Sequence, residues 1–468
     1  MCGEAAVSER ADVLVVGGGI AGIAASVALA DAGVRVELIE TRKKLGGRAT
    51  SFRDARTGDE VDNCQHVALG CCANFRWLCD RLGVGGLIEW WERLWWYEDG
   101  GRVSEVGSVR WLPAPGHLLP GLARASFLDG GEKAALAVGM AHAMRADRSR
   151  WRGVSFGAWL SEVEQPSSVV ERFWSPLIVS ACNAGVDRVA ASVGLHVVQE
   201  GLLSTREAFE IGVPRVPLSR LYEPAVRVIE RSGGRVRLGV GASAVSAREV
   251  RLRGGGSVAA GGVVLAAPFE RAIGLLTAGG ASDERVRMMG ELEHSPIVGV
   301  HLAFDRAVLG TGHGVLLGDS TPWVFRKDTE GRRVHAVISA ADGWVDLDEA
   351  AVVRRVVGVM RRCLGGMDGA RIEHARVVKE KRATFVPGVE AERSRVAAQG
   401  SSGVVLAGCY TATGWPSTME GATRSGLRAA EVVLGERSGA FVRGGLKPAV
   451  VPRLFGGRTL RRQGLGGP

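Results

Sequence analysis

Gly17-Gly18-Gly19-Ile20-Ala21-Gly22 decides the fold of this chain through what stands on either side of it. Asp12-Val13-Leu14-Val15-Val16 precedes it, a short β-branched run of the kind that forms a buried parallel strand. An apolar, alanine-rich stretch follows and predicts a helix. Val34-Arg35-Val36-Glu37-Leu38-Ile39 then falls where a βαβ unit needs its second strand, and Glu40 ends it. The glycines permit a tight turn and a close approach of backbone to a pyrophosphate, which then rests on the helix N-terminus. Glu40 stands where a carboxylate accepts hydrogen bonds from an adenosine ribose. Strand, turn, helix, second strand and acid agree. The segment reads as a dinucleotide site.

Glu40 is followed at once by Thr41-Arg42-Lys43-Lys44-Leu45-Gly46-Gly47-Arg48, a second glycine pair beside an arginine. It offers another close approach to phosphate, with a cation available. This element resembles the LGGR stretch of the FAD-dependent amine oxidase and phytoene desaturase superfamily. The resemblance implies FAD bound in an extended conformation. It places Thr41, Arg42, Gly46, Gly47 and Arg48 beside the first glycine turn and Glu40 as cofactor-binding residues.

At 468 residues the chain is long enough for two domains and a substantial core. We read the fold class as α/β, a discontinuous Rossmann-like FAD-binding domain with an inserted α+β substrate domain. Residues 1–72, 211–270 and 399–437 are assigned to the FAD-binding domain, and 73–210 and 271–398 to the substrate domain. Pro217 to Ser232 predicts a helix, followed by strands over Arg235–Leu238 and Ala244–Leu252. Gly262 to Pro268 and Val404 to Gly408 read as buried strands returning to the parallel sheet, and Ser417 to Leu434 as a helix. Tryptophan is concentrated in Leu87 to Tyr97, where Leu94 to Tyr97, then Asp99-Gly100-Gly101, then Arg102-Val103 predict a hairpin at the domain junction rather than a membrane-interface belt.

Eight cysteines are scattered without a CxxC pair, no metal-ligand spacing is present, and Met1 to Arg10 lacks a signal-peptide pattern. A cytoplasmic, reduced protein is expected, with no apolar run long enough to span a bilayer. Net charge is +9, and from Gly444 onward Lys447, Arg453, Arg458, Arg461 and Arg462 face no acid. Residues 438–468 therefore read as a basic, disordered tail, with attraction to anionic lipid headgroups as its sharper reading. Without a recognition module, nucleic acid is not an expected partner.

Val61-Asp62-Asn63-Cys64-Gln65-His66-Val67-Ala68-Leu69-Gly70-Cys71-Cys72 resembles the DNGQHV-x-x-GCY stretch of the squalene-associated FAD-dependent desaturases, the hydroxysqualene dehydroxylases of bacterial squalene and hopanoid biosynthesis. Phe173-Trp174-Ser175-Pro176-Leu177 with Asn183, Pro214 to Leu221, and Gly408-Cys409-Tyr410-Thr411-Ala412-Thr413-Gly414-Trp415-Pro416-Ser417-Thr418-Met419-Glu420-Gly421-Ala422 are similar to further segments of that family. The likeness runs from about residue 11 to 435. Cys64 stands where the family has Gly, and Cys409 where it has Asp. By this resemblance Gly408, Cys409, Met419 and Glu420 join the cofactor-binding residues. The first turn near Thr418 to Glu420 would aim N–H groups at the flavin edge that is negative when reduced. Gly421, Ala422, Ser425 and Gly426 would keep that helix face thin.

The reaction the resemblance implies is loss of a hydroxyl from hydroxysqualene and gain of hydride, giving squalene. Its substrate is a hydrophobic isoprenoid, its electron donor is unknown, and the membrane surface is its natural source. A hydroxyl leaves readily only when protonated or hydrogen-bonded, and Gln65 and His66 are the candidate catalytic residues, ahead of Asn183 and Tyr410. A thirty-carbon hydrocarbon needs a long apolar tunnel, for which segments 133–141 and 173–182 are candidates. Three rival readings share the fold: an oxidative phytoene-type desaturase, a non-redox isomerase or cyclase, and a non-catalytic lipid escort.

Overall fold

The computed structural model describes residues 11–318, 322–457 and 460. Its nucleotide half is built on a five-stranded, wholly parallel sheet in the order Arg235–Leu238, Val36–Glu40, Val13–Val16, Gly262–Leu265, Val405–Leu406. All four residues of the central strand Val13–Val16 are buried, as its β-branched composition requires for a strand covered on both faces. Helix Ile20–Asp31 is buried along nearly its whole length. It is sandwiched between the sheet and helix Met419–Leu434.

The other half rests on a seven-stranded sheet in the order Ile372–Phe385, His294–Phe304, Arg333–Ser339, Trp323–Arg326, His313–Leu316, Arg93–Tyr97, Val103–Gly107. Both long insertions thus contribute strands to one sheet. Pairing of Arg93–Tyr97 with Val103–Gly107 is antiparallel, and Trp96 is buried beneath Phe127 and Phe173, so Leu94 to Tyr97 form one arm of a packed hairpin, while Ile88–Trp91 pairs with Ile211–Pro214 in a separate sheet. No helix among the described residues is long and apolar enough to cross a membrane.

Three expectations need correction. The helix over 217–232 is two, Leu218–Tyr222 and Pro224–Arg231, because Pro224 has no N–H to continue the first. Residues 244–252 form a hairpin of two strands, Ala242–Val245 and Glu249–Leu252, outside the parallel sheet. The basic tail is not free of the body as far as Gly457. Glu431 accepts hydrogen bonds from the N–H groups of Gly439, Phe441 and Val442, Asn74 accepts from that of Arg443, and Ala449 N–H donates to Ser204. A helix, Val450–Phe455, follows, and Leu460 is buried. Arg458, Arg461 and Arg462 lie outside the described residues.

A buried ion pair fixes the strap that leads into the last parallel strand. Arg285 meets Asp283 with Nε at 2.9 Å and Nη2 at 2.6 Å, and also donates to the carbonyls of Ala398 (2.6 Å) and Val404 (2.8 Å). Burial pushes the Asp283 carboxyl up, but hydrogen bonds from Arg285 and Ser402 outweigh it and hold the group at about 2. A carboxyl depressed on folding stabilises the native state above its ordinary value, and that contribution fades as pH falls towards 2. We therefore expect Asp283→Asn to lower stability at pH 6 in urea melts while the gap to wild type narrows between pH 4 and pH 2. A constant gap would refute this.

Candidate active site

A cavity of ≈ 920 Å³ runs from the glycine turn of the parallel sheet to Trp323 and Phe325 of the large sheet. Its nucleotide end is set by backbone alone. Gly17 has φ +110°, and a Cβ there would lie 2.6 Å from the Ala266 carbonyl oxygen. Gly46, at φ +113°, donates its N–H to the Gly18 carbonyl (2.8 Å), and Gly47 sits so close to Gly19 that a Cβ would lie 2.9 Å from its Cα. The two glycine loops are therefore stacked against each other, and Gly17, Gly46 and Gly47 leave no room for a side chain. Helix Ile20–Asp31 starts at Gly19 with no side-chain cap and no acid in its first turn, although Ile20 and Ala21 are buried. Buried, uncapped helix N–H groups are costly unless something accepts from them. A pyrophosphate supplies that acceptor, so the residues present fit FAD.

Glu40 is held at the head of its strand by accepting from Gly18 N–H (2.6 Å) and Arg42 N–H (2.7 Å). A carboxylate has about four lone-pair sites, so acceptor capacity remains for ribose hydroxyls. Arg42 folds back onto the Gly47 carbonyl (2.8 Å), while Thr41 lines the cavity. Arg48 donates to the Ala383 carbonyl (3.0 Å) and to Cys409 Sγ (3.2 Å). Burial raises the Cys409 thiol, but Arg48 and a hydrogen bond with Ser417 bring it below its ordinary value. Sulfur and guanidinium are hydrogen-bonded where the resembling family has a carboxylate. Cys64 differs: burial pushes its thiol up to about 12, and it stays protonated.

At the opposite wall, helix Met419–Leu434 begins at Thr418, whose hydroxyl accepts from Gly421 N–H (3.1 Å). Met419 and Glu420 line the cavity, and their N–H groups have no preceding helical carbonyl to bond. The Glu420 carboxylate is used elsewhere, accepting from Asn74 Nδ2 (2.7 Å) and Phe75 N–H (2.8 Å). Of the small residues further along, Ala422 lines the cavity, whereas Ser425 and Gly426 face other parts of the protein. Gly426 lets the helix touch the first helix, where a Cβ would lie 2.9 Å from that of Ala24, and Ser425 accepts from Gly408 N–H (2.8 Å).

Gln65 and His66 both line the cavity. Cys64 offers only a carbonyl to His66 Nδ1 (3.1 Å), so Nδ1 carries the proton and Nε2 is left as an acceptor. Desolvation keeps the ring below the ordinary imidazole value. Lys327, which the sequence did not single out, orients Gln65: its Nζ lies 3.1 Å from Gln65 Oε1 and 3.3 Å from Asp62 Oδ2. The Gln65 Nε2 then donates to the His66 carbonyl (3.1 Å).

Of the two lesser candidates, Asn183 lines the cavity but its amide is engaged by the protein, and Tyr410 stands outside it. Asn183 caps its helix at φ +53° and spends its amide on Ser295, Thr384 and Ala340. Tyr410 is buried outside the cavity wall, with its ring against Gly408. Of the apolar segments, Leu177, Ser180 and Ala181 line the cavity, but 133–141 does not. That stretch belongs to the outer helix Gly130–Arg145.

Two further groups shape the site unannounced by any motif. Arg395 donates to the carbonyls of Cys409 (2.8 Å), Thr411 (2.7 Å) and Trp415 (2.6 Å), clasping the loop between the last strand and the last long helix. His196 packs edge to face on Trp415 (4.6 Å) and takes a hydrogen bond at Nδ1 from Arg148 (2.5 Å), which also pairs with Glu200 (3.0 Å). Burial and three nearby arginines, Arg148 first, keep this imidazole neutral.

Comparisons with known proteins agree with this geometry. A model of the flavin containing amine oxidoreductase family matches residues 20–434. The chain is 29% identical to a hydroxysqualene dehydroxylase of Sinorhizobium fredii, over 91% of this chain and 99% of that protein. It is 24% identical to a 15-cis-phytoene desaturase of Capsicum annuum, over 90% and 78%. The solved structure of a putrescine oxidase bound to putrescine superposes with TM-score 0.66 at 16% identity, covering 91% of this chain and 99% of that one, which speaks for the fold alone.

Proposed function

From a chain that belongs to the flavin-containing amine oxidoreductase family, and is thus an FAD-dependent oxidoreductase, we propose reductive dehydroxylation of a C30 isoprenoid alcohol, hydroxysqualene to squalene. One observation carries the reading beyond kinship along 99% of a hydroxysqualene dehydroxylase: a cavity continuous with the dinucleotide cradle is walled by Leu94, Leu177, Phe209, Ile211, Trp323 and Phe325, and carries His66 among them. Each buried CH₂ contributes about 0.8 kcal/mol, so an apolar wall suits a long polyene.

Bound FAD supplies hydride chemistry. The residues of this chain position and desolvate. In the overall change a C–O bond breaks and a C–H bond forms, and the fully reduced cofactor would supply both the hydride and the proton that leaves with the oxygen as water. The neutral His66 accepts at Nε2 from the substrate hydroxyl and fixes its direction. Lys327 keeps the Gln65 amide turned so that this ring stays in place. The apolar wall excludes water from the carbon that loses oxygen.

The test is anaerobic incubation of the chemically reduced holoprotein with hydroxysqualene, with squalene the expected product. Phytoene converted by the oxidised protein, with hydroxysqualene untouched, would instead establish the desaturase reading that the 24% relative supports. We expect His66→Ala, by loosening the position of the hydroxyl, to lower kcat about a hundredfold at unchanged flavin content. An equal loss of bound flavin would make His66 a cofactor contact only.

A further inference from the structure

We propose that the outer helical face of the substrate half is a docking surface for an anionic lipid bilayer. Three segments that meet there expose large apolar side chains: Trp111 is 74% exposed, Leu119 55%, Val450 55%, Leu454 58% and Phe455 61%. On helix Gly130–Arg145 the stripe Ala134, Ala137, Val138, Ala141 points outward at helical spacing, with no charge in it. Most large hydrophobic side chains of this protein are buried, so a cluster of exposed ones is informative.

Hydrogen bonds place these segments together. Lys133 of the outer helix donates to the Ala123 carbonyl of Leu119–Arg124 (2.9 Å). Gly457, just past Val450–Phe455, donates to the Met144 carbonyl of the outer helix (2.8 Å). Ala449 donates to Ser204 (2.8 Å), and two residues on, Arg206 reaches the Arg110 carbonyl (3.3 Å). Segments around 110, 119–145 and 449–457 thus surround one turn, Gln199–Leu203. Glu200, Gly201 and Leu202 of that turn line the cavity on its inner side.

Charge identifies the occupant. Arg110, Arg124, Arg145, Lys447 and Arg453 are exposed on the same segments, and among the described residues none is in an ion pair with a carboxylate. Of the acids on and beside these segments, Glu132 faces Arg172 (3.7 Å), Glu207 faces Arg206 (3.3 Å), and Asp129 and Asp147 cap helices by accepting from the N–H groups of Glu132 and Ser149. Apolar side chains with an aromatic, rimmed by unpaired cations, match the interface of an anionic membrane. A protein partner would require a matching contour, for which nothing here selects. The docking goes beyond the polyene reading and does not depend on it.

Flotation of the full-length holoprotein with vesicles of equimolar phosphatidylglycerol and phosphatidylcholine tests the proposal. Wild type should float, and less so as salt rises. Trp111→Ser, Leu454→Ser and Phe455→Ser combined should weaken binding by more than about a hundredfold, with melting temperature and flavin content unchanged because these side chains are exposed. Arg124→Gln, Arg145→Gln and Arg453→Gln combined should abolish the preference over pure phosphatidylcholine. Wild type left at the bottom of the gradient, or the apolar triple variant floating as wild type does, would overturn the proposal. So would a dimer that the apolar triple variant dissociates, which would assign the face to a second copy of this chain. Equal binding of wild type to both vesicle types would overturn anionic lipid as the occupant.

Discussion

Gly22→Val is expected to yield a colourless protein. Gly22 lies in the first turn of helix Ile20–Asp31, where any Cβ would be driven into the Gly17 carbonyl oxygen and would come within 3.1 Å of the Ala266 methyl. Neither neighbour can yield, because Gly17 is held by its N–H on Ile39 (2.8 Å) and Ala266 by its N–H on Val16 (2.8 Å). The helix must move outward, and the turn opens. Overpacking of this kind costs about 3 kcal/mol, roughly a hundredfold in affinity for FAD. Flavin absorbance per protein, with titration of added FAD, measures the effect. The far-ultraviolet spectrum should be retained, since the sheet beneath is unaltered. A yellow Gly22→Val protein with wild-type affinity would contradict the stacked-loop account of the cradle.

Arg395→Met is the second large effect expected. The guanidinium is buried and donates to three carbonyls of one loop, those of Cys409, Thr411 and Trp415. Methionine fills much of the volume and supplies none of the donors. Buried carbonyls stripped of partners cost about 1–3 kcal/mol each, so a loss on the order of 3–9 kcal/mol is expected for the three. The loop carries Cys409 at one end and Thr418, the cap of the last long helix, just past the other, so both stability and flavin retention should fall. Arg395→Lys should recover only part, because an ammonium cannot reach three carbonyls in a planar fork. A melting temperature for Arg395→Met within a degree of wild type would show that water replaces the lost bonds.

These two residues also show what a sequence discloses and what it hides. Gly22 announces itself because its partners are local: the strand before it, the helix it opens and the acid ending the next strand all fall within thirty residues. Arg395 carries no such mark, since its partners are backbone carbonyls, which every residue possesses. Lys327 and His196 were missed for a related reason. Each works by touching a loop more than two hundred residues away, Lys327 at Gln65 and His196 at Trp415. Gly426 was noticed but assigned the wrong neighbour: smallness shows that something comes close, not whether it is a ligand or, as here, another helix. Composition misjudged residues 438–457 because disorder is a balance. Here Glu431 and Asn74 satisfy that backbone well enough to hold a Gly- and Pro-rich segment in place.

The order of strands in the parallel sheet has a consequence for how the protein comes into being. Val13–Val16 is made before the other strands of its sheet, yet one of its flanking partners is Gly262–Leu265, and Val405–Leu406 completes the sheet beyond it. At typical elongation rates, on the order of 20–80 s separate the glycine turn from the helix that closes over it. Until then the nascent first helix has no partner for the face that Gly426 later meets, and the cradle lacks a wall. Flavin insertion is thereby deferred until helix Met419–Leu434 has been made, and a chain stalled before that helix would be a client for chaperones rather than a slower enzyme.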